Sequence, residues 1–299
     1  MNMKNIRKFE TTVEMNNAVL ENVSINYNVE TGSVLSMPLK PNFIDYSTMY
    51  TTFEALEDGT FSFKKDGNGD DIQYSKDNGS TWTPLASNET INVVSGDKVM
   101  WKSTITSGYN NGIGKFSSSN RFNAYGNTMS LLYGDDFNGQ TSLEGKPSAF
   151  YNLFSISTKL IDASNLILPA TTLESNCYQY MFNGCESLTK APSLPATTLK
   201  YRCYYFMFYG CTNLTTAPEL TATTLIDYCY YGIFNNCTNL KHITMLATDI
   251  SAYTCLDNWV MGVSSTGTFV KHPDMTSLPT GESGIPNGWT VVDYDFNAD

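Results

Sequence analysis

Charge is scarce in this chain. Asp, Glu, Lys and Arg make up 16% of its 299 residues, against about 25% in an average soluble protein. Lys and Arg number 18 against 29 Asp and Glu, a net charge of −11, and the arginines are only Arg7, Arg121 and Arg202. Nucleic-acid binders draw much of their affinity from neutralising phosphates with Lys and Arg, so no nucleic-acid role is expected. Two histidines, His242 and His272, leave little material for metal ligation or general-base chemistry. No cofactor and no metal are expected, and neither an HExxH pattern nor a Gly-rich phosphate loop occurs. No apolar run approaches 18 residues, so no membrane insertion is expected. The opening MNMKNIRKFETTVEMNNAVLENV lacks an apolar stretch of seven, so no secretory signal is expected either. The seven cysteines all follow residue 176 and are odd in number. Without a signal, reduced and buried thiols are the expected state. What the chain does have is aromatic surface in quantity, 19 Tyr, 16 Phe and 4 Trp, a mix suited to recognition rather than catalysis.

Self-comparison exposes a repeat. Residues 168–193 read LPATTLESNCYQYMFNGCESLTKAPS, 194–219 read LPATTLKYRCYYFMFYGCTNLTTAPE, and 220–245 read LTATTLIDYCYYGIFNNCTNLKHITM, a gapless period of 26. A decayed copy begins at Leu246, so Cys177, Cys203, Cys229 and Cys255 form one column. Cys185, Cys211 and Cys237 form a second, continued at Val263. Phe154 and Leu160 keep the spacing of Phe182 and Leu188 and mark a degenerate unit at 142–167. A period of 26 lies in the leucine-rich-repeat range and predicts one short strand and one helix per turn. In the second copy Leu199, Cys203 and Met207, with Tyr204 and Phe208, fall on one helical stripe, and Gly210 is placed to end the helix. Stacked turns would bury that stripe as a continuous core, with both cysteine columns as structural ladders inside it.

The texture upstream is different. From 43 to 141 short alternating runs are broken by Asp-Gly, Asn-Gly and Gly-Asp turns, which predicts a β-sandwich. Residues 1–42 are less patterned and are expected to form an extended arm with one hairpin. Residues 246–299, with Trp259 and Trp289, are expected to be a decayed repeat and a cap closing the open core. The expected fold is therefore mixed α and β: arm, β-sandwich, then a short α/β leucine-rich-repeat solenoid with a C-terminal cap.

The pattern LPATTLxxxCYxxMFxGCxxLTxAPx resembles the BspA-like leucine-rich repeats of gut-bacterial surface proteins and of virion proteins of gut bacteriophages. EDGTFSF, QYSKDNGSTW, VMWKS and GIGKFSSSNRFNAYGN resemble the β-domain that often precedes such repeats, and GVSSTGTFVKHPDMTSLPTGESGIPNGWTV their usual ending. The third copy departs from the pattern at Thr221, Gly232 and Asn236. The resemblance implies a non-enzymatic structural or adhesion protein that binds a host-surface glycan or protein. NAVLENVSINYNVETGSV is similar to N-terminal segments of structural proteins of gut phages of the crAss-like type. That implies a virion location, attachment to other virion proteins through residues 1–42, and a fibre or decoration role. Virion fibres are commonly homotrimers, although the repeats show no heptads. The alternative setting is a bacterial cell-surface adhesin, and the alternative class a glycan-active enzyme.

Four constellations invite a chemical reading. Ser75-Lys76-Asp77-Asn78-Gly79-Ser80-Thr81-Trp82 matches the Asp-box pattern of sialidase propellers, a hairpin turn remote from chemistry, and is expected to be such a turn. Asp66-Gly67-Asn68-Gly69-Asp70-Asp71 resembles the start of a calcium loop but lacks Gly at position six and flanking helices, so a solvated hairpin is expected. His242 replaces Lys190 and Thr216 of the other copies and reads as a surface substitution. The remaining constellation is a surface. Positions 8, 12 and 16 of the repeat lie opposite the buried stripe and present Tyr201, Tyr205 and Tyr209, then Asp227, Tyr231 and Asn235, with Ser175, Gln179 and Asn183 before them. Tyr201, Tyr205, Tyr209, Tyr231 and Asn235 are the candidate binding residues, because Tyr rings pack against ligands while their hydroxyls stay wet. The competing face is the strand side, Thr189, Lys190, Thr215, Thr216, Lys241 and His242.

Overall fold

The computed structural model describes residues 44–66, 72–103 and 112–297, together with the backbone of three strands nearer the N-terminus. The chain divides into two units, Met1–Tyr46 and Ser47–Asp299. In the first, β1 (Ile6–Met15), β2 (Ala18–Asn28) and β3 (Ser33–Ser36) form an antiparallel meander rather than an arm with a single hairpin.

The second unit opens with β4 (Thr51–Ala55), β5 (Gly59–Lys65), β6 (Ile72–Ser75), β7 (Thr83–Leu85), β8 (Thr90–Val93), β9 (Lys98–Lys102), β10 (Gly114–Ser118) and β11 (Phe122–Asn127). A three-stranded sheet runs β10-β5-β8, and a larger one runs β11-β4-β9-β6-β7. Their inward side chains meet in one aromatic core: Phe53 of β4 lies 5.5 Å from Phe61, 4.7 Å from Phe116 and 5.5 Å from Trp101 between ring centroids. The alternation of buried and open residues along β9 and β11 is what two sheets sharing a core require. A single four-residue helix, α1 (Ser130–Tyr133), follows. Then β12 (Leu160–Asp162) and β13 (Leu166–Ile167) pair in parallel with β11. The expected boundary at 141 is therefore crossed by sheet hydrogen bonds, and sheets and repeats form one body.

The helices expected in the repeats do not form. The fold is mostly β, and α1 is its only α-helix among the described residues. From Lys200 to Cys211 the backbone is a staircase of β-turns. The amides of Cys203, Tyr205, Met207, Tyr209 and Cys211 donate to the carbonyl three residues back, at 3.1–3.3 Å. The intervening amides of Arg202, Tyr204, Phe206, Phe208 and Gly210 donate to carbonyls of the next repeat, Asp227, Cys229, Tyr231, Ile233 and Asn235. Every fourth residue carries positive φ: Arg202 at 53°, Phe206 at 50°, Gly210 at 70°. That residue is the third of its turn, where a type II turn demands it. The same rhythm recurs at Asn176, Tyr180 and Gly184, at Tyr228, Gly232 and Asn236, and at Thr254, Asn258 and Gly262. Each step has four residues, two facing in and two facing out, so Cys203 and Tyr204, then Met207 and Phe208, then Cys211 are buried. The predicted stripe is thus the buried one, on a backbone of a different kind.

Stacking turns the buried positions into ladders. Phe150, Tyr178, Tyr204 and Tyr230 stack ring on ring at 5.5, 5.7 and 6.0 Å. Phe154, Phe182, Phe208 and Phe234 do so at 5.4, 5.3 and 5.9 Å. The Phe154–Phe182 stack joins residues 142–167 to the first full repeat. Phe116 of β10 stacks on Phe154 at 5.8 Å, and its amide donates to Leu153 at 2.9 Å, so the β10 edge of the smaller sheet closes the N-terminal end of the stack. All seven cysteines are free and buried. The thiols of Cys185, Cys211 and Cys237 donate to the carbonyls of Phe154, Phe182 and Phe208 in the preceding unit at 3.0–3.2 Å. At the far end β14 (His242–Met245), β15 (Thr268–Lys271) and β16 (Thr290–Asp293) form a parallel sheet. Trp259 and Trp289 are buried there, their indole N–H groups donating to Gly284 at 2.9 Å and Ser264 at 2.7 Å.

Candidate functional site

The four-residue step explains which side chains reach the outer face. Each step sets two consecutive residues away from the buried ladders, the second with positive φ. In the second full repeat these pairs are Tyr201–Arg202, Tyr205–Phe206 and Tyr209–Gly210. In the third the same places hold Asp227–Tyr228, Tyr231–Gly232 and Asn235–Asn236, of which Gly232 and Asn235 are buried. Because neighbouring repeats are hydrogen-bonded in register, outer residues stack into columns of their own.

Four of the five candidate residues lie on this face. Tyr201 is exposed, and Tyr205, Tyr209 and Tyr231 are half-buried. Tyr205 and Tyr231 stack at 4.9 Å, and the Tyr209 hydroxyl accepts a hydrogen bond from Asn236 Nδ2 at 3.2 Å. Asn235 is a correction: it is 3% exposed, so it is no surface residue. Asn236 has turned out instead, because its φ of 61° fills the turn position held by glycine in the preceding repeats.

The centre of the face is a residue the helical reading passed over. The guanidinium carbon of Arg202 lies 4.9 Å from the ring centroid of Tyr201, 5.1 Å from Tyr205 and 4.8 Å from Tyr228. Guanidinium on aromatic faces is a favourable cation–π arrangement, worth about 0.5–1 kcal/mol per exposed pair. Tyr228 extends the surface edge-on to Tyr253, 5.6 Å away, and Tyr253 is 66% exposed. On a helix, repeat positions 9 and 13 would point about 100° away from 8 and 12. Here they stand beside them, which brings Arg202 and Tyr228 into the cluster. The available signal was that Arg202 is the one arginine of the repeats.

On the strand side Thr189, Lys190, Thr215, Thr216 and Lys241 are exposed and His242 is half-buried. Lys190 pairs with Asp162 at 3.5 Å, and this face carries no aromatic side chain among those six residues. The ladder thiols offer no nucleophile. Burial pushes Cys177, Cys185 and Cys237 up to about 12, and a thiol, not a thiolate, is unreactive. Among the described residues no three His, Cys, Asp or Glu side chains converge on a metal-sized site. None of the described helices is long and apolar enough to cross a membrane.

The Asp-box segment is the hairpin turn it was expected to be, joining β6 to β7. Asp77 accepts from the Thr81 amide at 2.9 Å and its hydroxyl at 2.6 Å, and Ser75 Oγ donates to Asp77 at 2.7 Å. Those bonds, the Thr81 hydroxyl first, lower the Asp77 carboxyl to about 2. The calcium-loop reading of 66–71 falls largely outside the described residues. No protein-family model, curated protein or solved structure matches the chain.

Proposed function

We propose that this chain is a non-enzymatic binding protein of the leucine-rich-repeat solenoid class, BspA-like in its repeats. In this reading it is a virion-associated structural or adhesion component whose outer solenoid face meets a ligand on a host cell or in the gut environment. The observation that carries the binding role is the Arg202 cluster. It sets a cation and at least three partly open tyrosines on a laddered stack whose backbone is fixed by hydrogen bonds in two directions. Sites on rigid scaffolds lose less ordering entropy on binding than sites on mobile loops. The virion setting, and attachment to other virion proteins through residues 1–42, rest on the sequence resemblance. The test is twofold. Mass spectrometry of purified phage particles should find the chain in stoichiometric amounts. The purified protein should also bind intact gut-bacterial cells or mucus glycans, and lose that binding when Tyr201 and Tyr228 become Ser. Recovery of the chain from bacterial envelope fractions and not from particles would favour the cell-surface adhesin.

A further inference from the structure

Arg202 has no charge partner among the described residues. Five lysines of the same body do have a carboxylate within 4.0 Å, among them Lys76 at 2.7 Å from Asp97, Lys102 at 2.7 Å from Asp135 and Lys190 at 3.5 Å from Asp162. No carboxylate among the described residues lies within 4.0 Å of the Arg202 guanidinium, although the chain carries a net charge of −11. Its Nε is buried and has no hydrogen-bond partner. Three tyrosine faces hold the head group and restrict its rotamers, so its planar fork of donors is pre-organised. Such a fork matches the two oxygens of a carboxylate or sulfate, and charge-assisted bonds of this kind are about twice as strong as neutral ones.

We propose that the outer face recognises an acidic saccharide, with the carboxylate or sulfate of one sugar residue on Arg202. The surroundings favour a hydroxyl-rich ligand over an acidic peptide. Arg202 is flanked in the preceding repeat by Ser175 and Asn176, which occupy the columns of Tyr201 and Arg202, and the rings against it belong to tyrosines, each with a hydroxyl. These groups can both donate and accept, as sugar hydroxyls require. The chain's negative field disfavours a polyanion, so a single acidic group on an otherwise neutral glycan is the best fit. The ring faces turned to Arg202 are occupied by it, so the tyrosines contribute edges and hydroxyls more than open stacking platforms.

This inference rests on the binding reading above. It is tested by calorimetric titration of the full chain with three oligosaccharides of equal length, ending in a uronic acid, a sulfated sugar or a neutral sugar. The acidic ligands should bind about tenfold or more tightly than the neutral one, and that preference should weaken as salt is raised. R202Q should abolish the preference and R202K, which keeps the charge but not the fork, should retain part of it. Uronate binding should fade as the pH falls through the ordinary carboxyl range while sulfate binding persists, which separates the two acidic groups. Equal affinity for acidic and neutral ligands, or an unchanged preference in both variants, overturns the acidic-sugar inference and leaves the binding reading standing. Failure of every glycan overturns the acidic-sugar inference too, and unimpaired cell attachment by the Tyr201→Ser/Tyr228→Ser protein removes the outer face as the binding site as well. Near-UV circular dichroism of each variant establishes that a loss reflects the side chain and not unfolding.

Discussion

The ring of Phe206 lies over Gly232 of the next repeat, so closely that a Cβ at 232 would come within 2.3 Å of Phe206 Cε1. Tyr180 stacks on Phe206 from the other side at 5.7 Å, and Gly232 ends that aromatic column. Gly232 also has a φ of 59°, where a Cβ is strained even without a neighbour. The glycine at which the third copy departs from the repeat pattern is thus a seat for a ring. Gly232→Ala should destabilise the protein by about 2–4 kcal/mol, from the left-handed conformation and overpacking together. Phe206→Ala in the same chain should recover part of that loss in urea denaturation. An undiminished cost in the Phe206→Ala background would assign the whole effect to conformation.

Gly210 provides the contrasting case. Its φ is 70°, yet the nearest atoms to a Cβ there are those of Gly184 at 3.8 Å, an ordinary contact. Conformation alone should then decide, and Gly210→Ala should cost about 1 kcal/mol. Asparagine occupies this turn position in the following repeat as Asn236, with a φ of 61°. Gly210→Asn should therefore be milder than Gly210→Ala, despite the larger side chain. Thermal melts that reverse this order would show that crowding, not φ, governs the column.

Much of this was legible in the chain, and the main error has a simple origin. A repeating unit of four residues and a helix of 3.6 residues per turn both bury i, i+4 and i+8. Over the nine residues from Leu199 to Met207 the two drift apart by only about 80°, too little for hydrophobic pattern to separate them. The distinguishing signal was conformational. Asn or Gly recurs at multiples of four residues, at Asn176 and Gly184, Gly232 and Asn236, Asn258 and Gly262, where a helix would favour neither. The stacked columns, the β-rich character of the segment before the repeats and the Asp-box hairpin were readable because they depend on which residues recur or alternate. Arg202 was passed over because its place beside Tyr201 follows only from the true backbone.

Asp77 gives the hairpin between β6 and β7 a pH dependence of definite sign. Its carboxyl is lowered from 3.8 to about 2 by hydrogen bonds from Thr81 and Ser75. Its stabilising contribution is present in full above about pH 4 and is lost as pH falls toward 2. Asp77→Ala should lower the melting temperature modestly at pH 7 and leave the melt at the acid limit unchanged relative to wild type. An equal loss at both extremes would mean that packing of Trp82, and not the carboxylate, fixes the turn.

The buried thiols predict the opposite trend at alkaline pH. Cys177, Cys185 and Cys237 are raised from 9.0 to about 12 by burial, and burial raises the ladder tyrosines Tyr178, Tyr204 and Tyr230 well above 10.0. Above about pH 9 the unfolded chain releases protons that the folded chain keeps, so stability falls as pH rises through that window. Native protein should react slowly with a thiol reagent at pH 8, and guanidinium should release all seven groups together. Cys255, raised only to about 11, should react first. Rapid native-state modification of Cys203 or Cys211 would contradict the packed ladder.

The outer tyrosines should separate into two classes, because exposure and packing divide them. Tyr201 is 39% exposed and meets Tyr228 edge-on at 5.6 Å, besides lying against Arg202. Tyr205 is half-buried and stacks on Tyr231 at 4.9 Å while meeting Phe206 at 4.8 Å. Tyr209 is half-buried as well, holding Phe206 at 5.3 Å and accepting from Asn236. Tyr201→Ser should thus cost less than about 1 kcal/mol of stability, whereas Tyr205→Ser should cost about 2–3 kcal/mol through lost aromatic packing. If the face binds as proposed, Tyr201→Ser should still weaken ligand attachment, since its ring is one wall of the Arg202 cluster. Loss of attachment confined to Tyr205→Ser and Tyr209→Ser, in step with their melting temperatures, would instead mark the tyrosines as filling between repeats. The ratio of affinity change to stability change, measured for all three variants, therefore distinguishes a recognition surface from an outer layer of core.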